Sequence, residues 1–345
     1  MLSKIKNSLK VKEDRIGKFN LLLIGAVALV IVISIGQIIS QKIIQIGLNN
    51  SLPQYQITDS VFIDQNSASK EELGTPLEPF KRILTALEFA KKNPKVKNIY
   101  INTGTYNGIL EIQEGINLYA YNPETLILNK TLDDKTLTLK GNNIIRGLTV
   151  QGGRYAIHIP EEAKNIKINS CTIKEASWFG IYNEEHPEAN EEYKLEVINS
   201  TITGNYRQGL YLQKGTFVMS NSTSTKNGEE GVDLHMEMNT TIDNCTISNN
   251  GEGGIETELG NINLSITNST IEGNKSSGIN LQSNTDNSIV IIENNSINNN
   301  SNFGIRCALH SPIKSPYFTK AFETYPSRIN TFSGNQASID PNCLR

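Results

Sequence analysis

Hydrophobic and polar positions follow two regimes along this chain. From Phe19 to Ile39 runs an uncharged apolar segment without a polar face. At about 20 residues it matches a helix crossing a hydrocarbon core of roughly 30 Å. Past residue 58 the apolar positions fall in short alternating runs, the period of β-strands. Val61–Asp64, Ile99–Ile101, Ile109–Ile112, Ile116–Tyr119, Leu126–Leu128, Leu137–Leu139 and Ile144–Val150 each read as a strand. Between the first two, Pro79–Ala90 reads as an amphipathic helix, with Phe80, Ile83, Leu84, Leu87 and Ala90 on one face and Pro79 suited to its first turn.

The strongest signal is a repeat. Thr172, Thr201, Thr223, Thr246, Thr270 and Ser296 are followed at constant spacing by Gly180, Gly209, Gly231, Gly254, Gly278 and Gly304. Successive glycines are 29, 22, 23, 24 and 26 residues apart, so all variation in coil length lies on the other side of the coil. One residue past the Thr or Ser stand Ile173, Ile202, Ser224, Ile247, Ile271 and Ile297; one past the Gly stand Ile181, Leu210, Val232, Ile255, Ile279 and Ile305. Stacked coils would gather these into columns and bury a core that no single repeat can form. Asn199, Asn221, Asn244, Asn268 and Asn294 precede the Thr or Ser, and Asn205, Asn227, Asn250, Asn274 and Asn300 follow it. Both rows read as Asn ladders at turns, where Asn tolerates left-handed backbone and its amide bonds to neighbouring coils. A helical repeat fails for want of a 3.6-residue period, and disorder fails against fixed-offset Ile columns.

The basic residues Lys4, Lys6, Lys10, Lys12, Arg15 and Lys18 flank the apolar segment. They predict a cytoplasmic tail over residues 1–18, a transmembrane helix over 19–40 and an extracytoplasmic remainder. A cleaved signal peptide has a shorter apolar core, and a buried helix would show a polar face. The remaining divisions are a linker over 41–58, a cap strand and cap helix over 59–97 that covers the open solenoid end, a parallel β-helix over 98–307, and an inserted loop, last partial coil and C-terminal cap over 308–345. Formal net charge is only -3, and no concentrated basic patch points to a nucleic-acid partner.

Cys171 and Cys245 occupy the repeat position of Ser200, Ser222 and Ser269. Three coils separate them by roughly 14 Å, too far for a disulfide, so they read as unpaired fillers. Cys307 and Cys343 are the pair expected to staple the C-terminal cap. The many Asn-x-Ser/Thr triplets follow from the ladders rather than from glycosylation.

With these repeats, including Asn244-Cys245-Thr246-Ile247-Ser248-Asn249-Asn250 through Gly254-Ile255, and with Glu78–Lys81 through Ile99–Tyr106, the chain resembles the right-handed parallel β-helix proteins of the pectate-lyase-like superfamily over residues 60–345. The resemblance implies an all-β right-handed parallel β-helix. It also implies a solvent-facing sheet that serves as a carbohydrate site, as in polysaccharide lyases, hydrolases and uronan epimerases. Asp233-Leu234-His235 is loosely similar to the Asp/His motif of the epimerases, and no enzyme's catalytic set is matched residue by residue.

Strand alternation sends the positions two and four past each Gly to solvent. The first row reads Tyr182, Tyr211, Asp233, Glu256, Asn280, Arg306; the second reads Glu184, Gln213, His235, Glu258, Gln282. Asp233, His235, Glu256 and Glu258 are the candidate catalytic residues: close carboxylates drive their titrations apart, and a His beside one can shuttle protons. Tyr182, Tyr211, Asn280, Gln282 and Arg306 are the candidate substrate-binding residues, the tyrosines as flat surfaces for sugar rings and Arg306 as partner to a uronate carboxylate. Acidic groups here match the oxygen ligands of Ca²⁺, and no His pair has metal-ligand spacing. Extra residues at Asn183–Tyr193 and Ala308–Pro326 leave the coil after the same strand, as if closing the two ends of a trough. Three functions follow: a glycan-processing lyase, epimerase or hydrolase, a non-catalytic polysaccharide or envelope-glycan binder, or a structural spacer.

Overall fold

Each short β segment pairs in parallel with its counterpart one coil later. Tyr155–Ile159, Ile166–Asn169 and Thr172–Lys174 make up one coil; they pair with Phe179–Asn183, Lys194–Ile198 and Thr201–Thr203 of the next. The computed structural model describes residues 59–344 apart from 122–123, 185–192, 260–262, 284–288 and 310–329. Its strands form one eighteen-stranded and one ten-stranded sheet, both parallel throughout, wound as an all-β solenoid. The two expected insertions lie largely outside the described residues.

The columns are in register. Ile173, Ile202, Ser224, Ile247, Ile271 and Ile297 stack inward, fully buried, as do Ile181, Leu210, Val232, Ile255, Ile279 and Ile305. The constant half-coil has a packing cause. Buried Asn205, Asn227, Asn250, Asn274 and Asn300 form a continuous ladder in which each amide donates to the next carbonyl oxygen at 2.9–3.1 Å, ending on Asn335. Beside it a side chain on Gly254 would place Cβ 2.5 Å from the Gly278 carbonyl oxygen and 2.9 Å from Asn274 Nδ2. An added or removed residue would break both contacts. The outer row serves the other purpose: Asn199, Asn221, Asn244, Asn268 and Asn294 all take φ near +50° to +58°, which Asn adopts more readily than most residues.

Departures from expectation lie near the N-terminal end. Ile144–Val150 is two strands, Asn143–Arg146 and Thr149–Gly152. Between them Gly147 turns the corner at φ +73°, where a Cβ would meet the Ala120 carbonyl oxygen at 2.6 Å. The helix spans Ile83–Lys92 rather than beginning at Pro79; Phe80 is drawn into a bridge with Ile63, and Leu84 is exposed while Ala86 is buried. The helix packs against Ser60–Ile63 and Leu110–Ile112; these contacts establish its packing and not a capping role. The single-pass membrane topology is corrected as well. No helix among the described residues is long and apolar enough to cross a membrane, and the segment expected to do so, 19–40, lies outside the described residues.

Cys171 and Cys245 are buried free thiols. Burial pushes each up to about 11, so both stay protonated at neutral pH. Cys307 and Cys343 are joined by a disulfide that ties the strand Phe303–Leu309 to the final turn Pro341–Leu344.

Candidate functional site

Consecutive strand pairings carry one outward-pointing position through successive coils. Glu111, Thr138, His158, Tyr182, Tyr211, Asp233, Glu256, Asn280 and Arg306 are register partners in that order. Leu212, Thr257 and Leu281 between the two rows are buried inward, which leaves alternate residues on the outer face. Gln213 is paired with His235, and Glu258 with Gln282. The side chain of Glu258 lies outside the described residues.

The acidic centre is bound more tightly than a solvated row. Asp233 is only 5% exposed. Its Oδ2 lies 3.0 Å from His235 Nε2 and accepts from Gln208 Nε2 at 3.2 Å; the same Gln208 nitrogen donates to Glu230 Oε2 at 3.1 Å. A carboxylate oxygen accepts, so His235 Nε2 is the donor of this pair. Pairing between these two strands ends at Leu234 and Thr257, and His235 meets Asp233 of its own strand. In the next coil Glu256 accepts from Asn280 Nδ2 at 2.6 Å and Gln282 Nε2 at 2.8 Å.

Burial raises the Glu256 carboxyl above its ordinary range, opposed by the Asn280 hydrogen bond and reinforced by the charge of Asp233. Glu230 is pushed up to about 8 by burial first, then by its hydrogen bond with Glu252 and the charge of Asp233. The site thus holds a carboxyl that keeps its proton near neutrality beside a His–Asp pair, a pairing suited to proton transfer.

The aromatic part differs from a set of open platforms. Tyr155 stacks on Phe179 with centroids 5.6 Å apart and planes 3° apart, Phe179 on Tyr211 at 4.9 Å, and Tyr211 meets the His235 ring at 4.5 Å. The rings turn their faces to one another along the stack, so they present edges and hydroxyls outward. At its far end lies a second pair, His158 Nε2 and Glu184 Oε1, 2.7 Å apart. Burial lowers His158 despite that carboxylate. The pair lines a pocket of about 430 Å³ together with Lys135 and Lys140.

Gln208, Glu230 and His158 escape a reading that starts at the glycine and runs forward. The column just before the glycine reads Phe179, Gln208, Glu230, Gly253, Ser277, Phe303, and the same offset logic would have exposed two polar residues in it. His158 was hidden because its coil has Ala156 opposite Gly180, so the repeat's landmark is absent. Among the described residues no three His, Cys, Asp or Glu side chains group to hold a metal, and the oxygens of Glu256 are engaged by amides.

These features define a parallel β-helix protein with a polar sheet face. The family described as "Right handed beta helix region" matches residues 188–337. Among solved structures, pectate lyase Pel9A superposes with a TM-score of 0.53 at 15% identity, covering 83% of this chain and 78% of that one. The A-module of the Azotobacter vinelandii mannuronan C-5 epimerase AlgE4 gives a TM-score of 0.43 at 17% identity, covering 75% and 92%. No curated protein matches the sequence. The fold is therefore a right-handed parallel β-helix with pectate-lyase-like structural neighbours.

Proposed function

We propose that the chain is a carbohydrate-active β-helix protein that takes a polysaccharide along the column from His158 to Arg306 and processes it at Asp233, His235 and Glu256. The observation that supports this reading is the His235–Asp233 contact of 3.0 Å at one end of the aromatic stack. A carboxylate holding one imidazole nitrogen sets the tautomer and orientation that a general base needs. Glu256, raised by burial, supplies the acid. Tyr182, Tyr211, Asn280, Gln282 and Arg306 line the path as hydrogen-bonding groups. Lyase, epimerase and hydrolase chemistry all require such a pair, and the pectate lyase fold is one on which polysaccharide chemistry is carried out.

The test is to incubate the purified chain with a polysaccharide panel, with and without Ca²⁺, and to read unsaturated products, new reducing ends and retained binding. Asp233→Asn combined with Glu256→Gln should abolish turnover while binding persists; unchanged turnover removes the site. A non-catalytic binder is the second reading, favoured by the two amide donors that occupy Glu256. It expects retention of polymer with no change in chain length or composition.

A further inference from the structure

Two positions before each glycine runs another column, outside the residues used above. Backbone bonds fix its order: Trp178 N donates to the Arg154 carbonyl, Arg207 N to that of Trp178, and Glu229 N to that of Arg207. Arg154 and Arg207 thus flank Trp178 from the coils before and after it. Their guanidinium carbons stand 3.7 Å and 4.7 Å from the indole centroid, within the range of cation–π attraction.

The two arginines differ in how their charge is answered. Arg207 Nε lies 3.5 Å from Glu229 Oε1. Arg154 has no carboxylate at ion-pair distance among the described residues, and its buried Nε has no hydrogen-bond partner there. A buried N–H left unpaired is unfavourable. A stack that served stability alone would pair both charges within the fold, as it does for Arg207. Stacking occupies the face of the Arg154 guanidinium and leaves the in-plane N–H edge, the edge that binds planar oxyanions bidentately. Arg154 also lies 5.4 Å from the Tyr155 ring and near enough to Tyr182 to act on its hydroxyl, so it borders the proposed glycan path.

We propose that Arg154, braced by Trp178, is an anion-binding subsite that takes a carboxylate or sulfate substituent of the polysaccharide. This rests on the proposed function and narrows its substrate to an anionic polymer.

The chain's single tryptophan, Trp178, reports on the site directly. The purified full chain is titrated with polygalacturonate and its methyl-esterified form, and with dextran sulfate and dextran, while affinity and indole emission are followed. The charged member of one pair should bind more tightly, shift the emission and lose affinity with salt; which pair responds tells carboxylate from sulfate. Arg154→Gln should weaken binding of that polymer about tenfold and abolish the emission response. Lys275→Gln, which removes the same charge five coils further on, should do neither. Near-UV circular dichroism establishes that both variants are folded. If Arg154→Gln binds charged polymer as the wild type does, the subsite is overturned and the polysaccharide reading stands. If neither charged nor neutral polymer binds, both are overturned.

Discussion

His235 Nε2 lies 3.0 Å from Asp233 Oδ2, a contact between two residues on the same face of one strand. Residues two apart in a strand project to the same side, and Gln208 from the preceding coil holds the shared oxygen from a second direction. Asp233→Asn keeps the shape and removes the charge that holds the imidazole. Turnover on the responsive polysaccharide should fall at least about a hundredfold, while polymer retention changes little. Steady-state kinetics on the single variant decide this.

Glu230 makes stability depend on pH. Its folded carboxyl is raised to about 8, above the unfolded value of about 4.3. Between these values the native state holds the proton more tightly, so the contribution is fully present below about 4.3 and is lost as pH rises toward 8. Melting temperature should therefore decline across this window in the wild type. In Glu230→Gln the decline should be shallower; parallel profiles would show that Glu230 does not titrate as described.

Removing one rung of the inner ladder should cost more than removing one from the outer row. Asn250→Ala strips acceptors from both the backbone N–H and the side-chain amide of buried Asn227, a loss of about 3 kcal/mol. Asn244→Ala removes an exposed residue at φ +52° and should cost about 1 kcal/mol. Urea unfolding of both variants compares them.

Gly254→Ala tests the close approach of coils. The added methyl would sit against the Gly278 carbonyl and the Asn274 amide, which are held by the ladder and cannot withdraw. Overpacking of this kind costs about 1–3 kcal/mol. Gly108→Ala, where nothing lies within 4 Å of the new Cβ, serves as comparison, although its φ of +144° adds strain of its own.

Much of the architecture was legible because a solenoid turns sequence offset into spatial neighbourhood. Ile181, Ile255 and Ile279 could be placed in one buried column from spacing alone, and Asp233 beside Glu256 from the same count. Ile144–Val150 was misread as one strand because its alternation continues across a corner that only Gly147 marks. Phe80 was assigned to the helix face because helical spacing cannot show that Ile63 captures it first.

The site was legible only in part. Asp233, Glu256, Asn280 and Gln282 lie in the outward rows, but Gln208 and Glu230 enter from the turn before the strand, where alternation does not say which way a side chain points. The stacking of Phe179 on Tyr211, and of Arg154 on Trp178, depends on side-chain torsions.

The sequence by itself determined the period, the stacking of Ile and Asn columns and the order of residues along the exposed face, because each follows from backbone repetition. Tertiary structure alone decided that His235 bonds Asp233 of its own strand, that the tyrosines show edges rather than faces, and that among the described residues Arg207 has a carboxylate partner and Arg154 has none. Those outcomes turn on rotamers and on contacts of a few ångströms, distances finer than the spacing between coils that the repeat specifies.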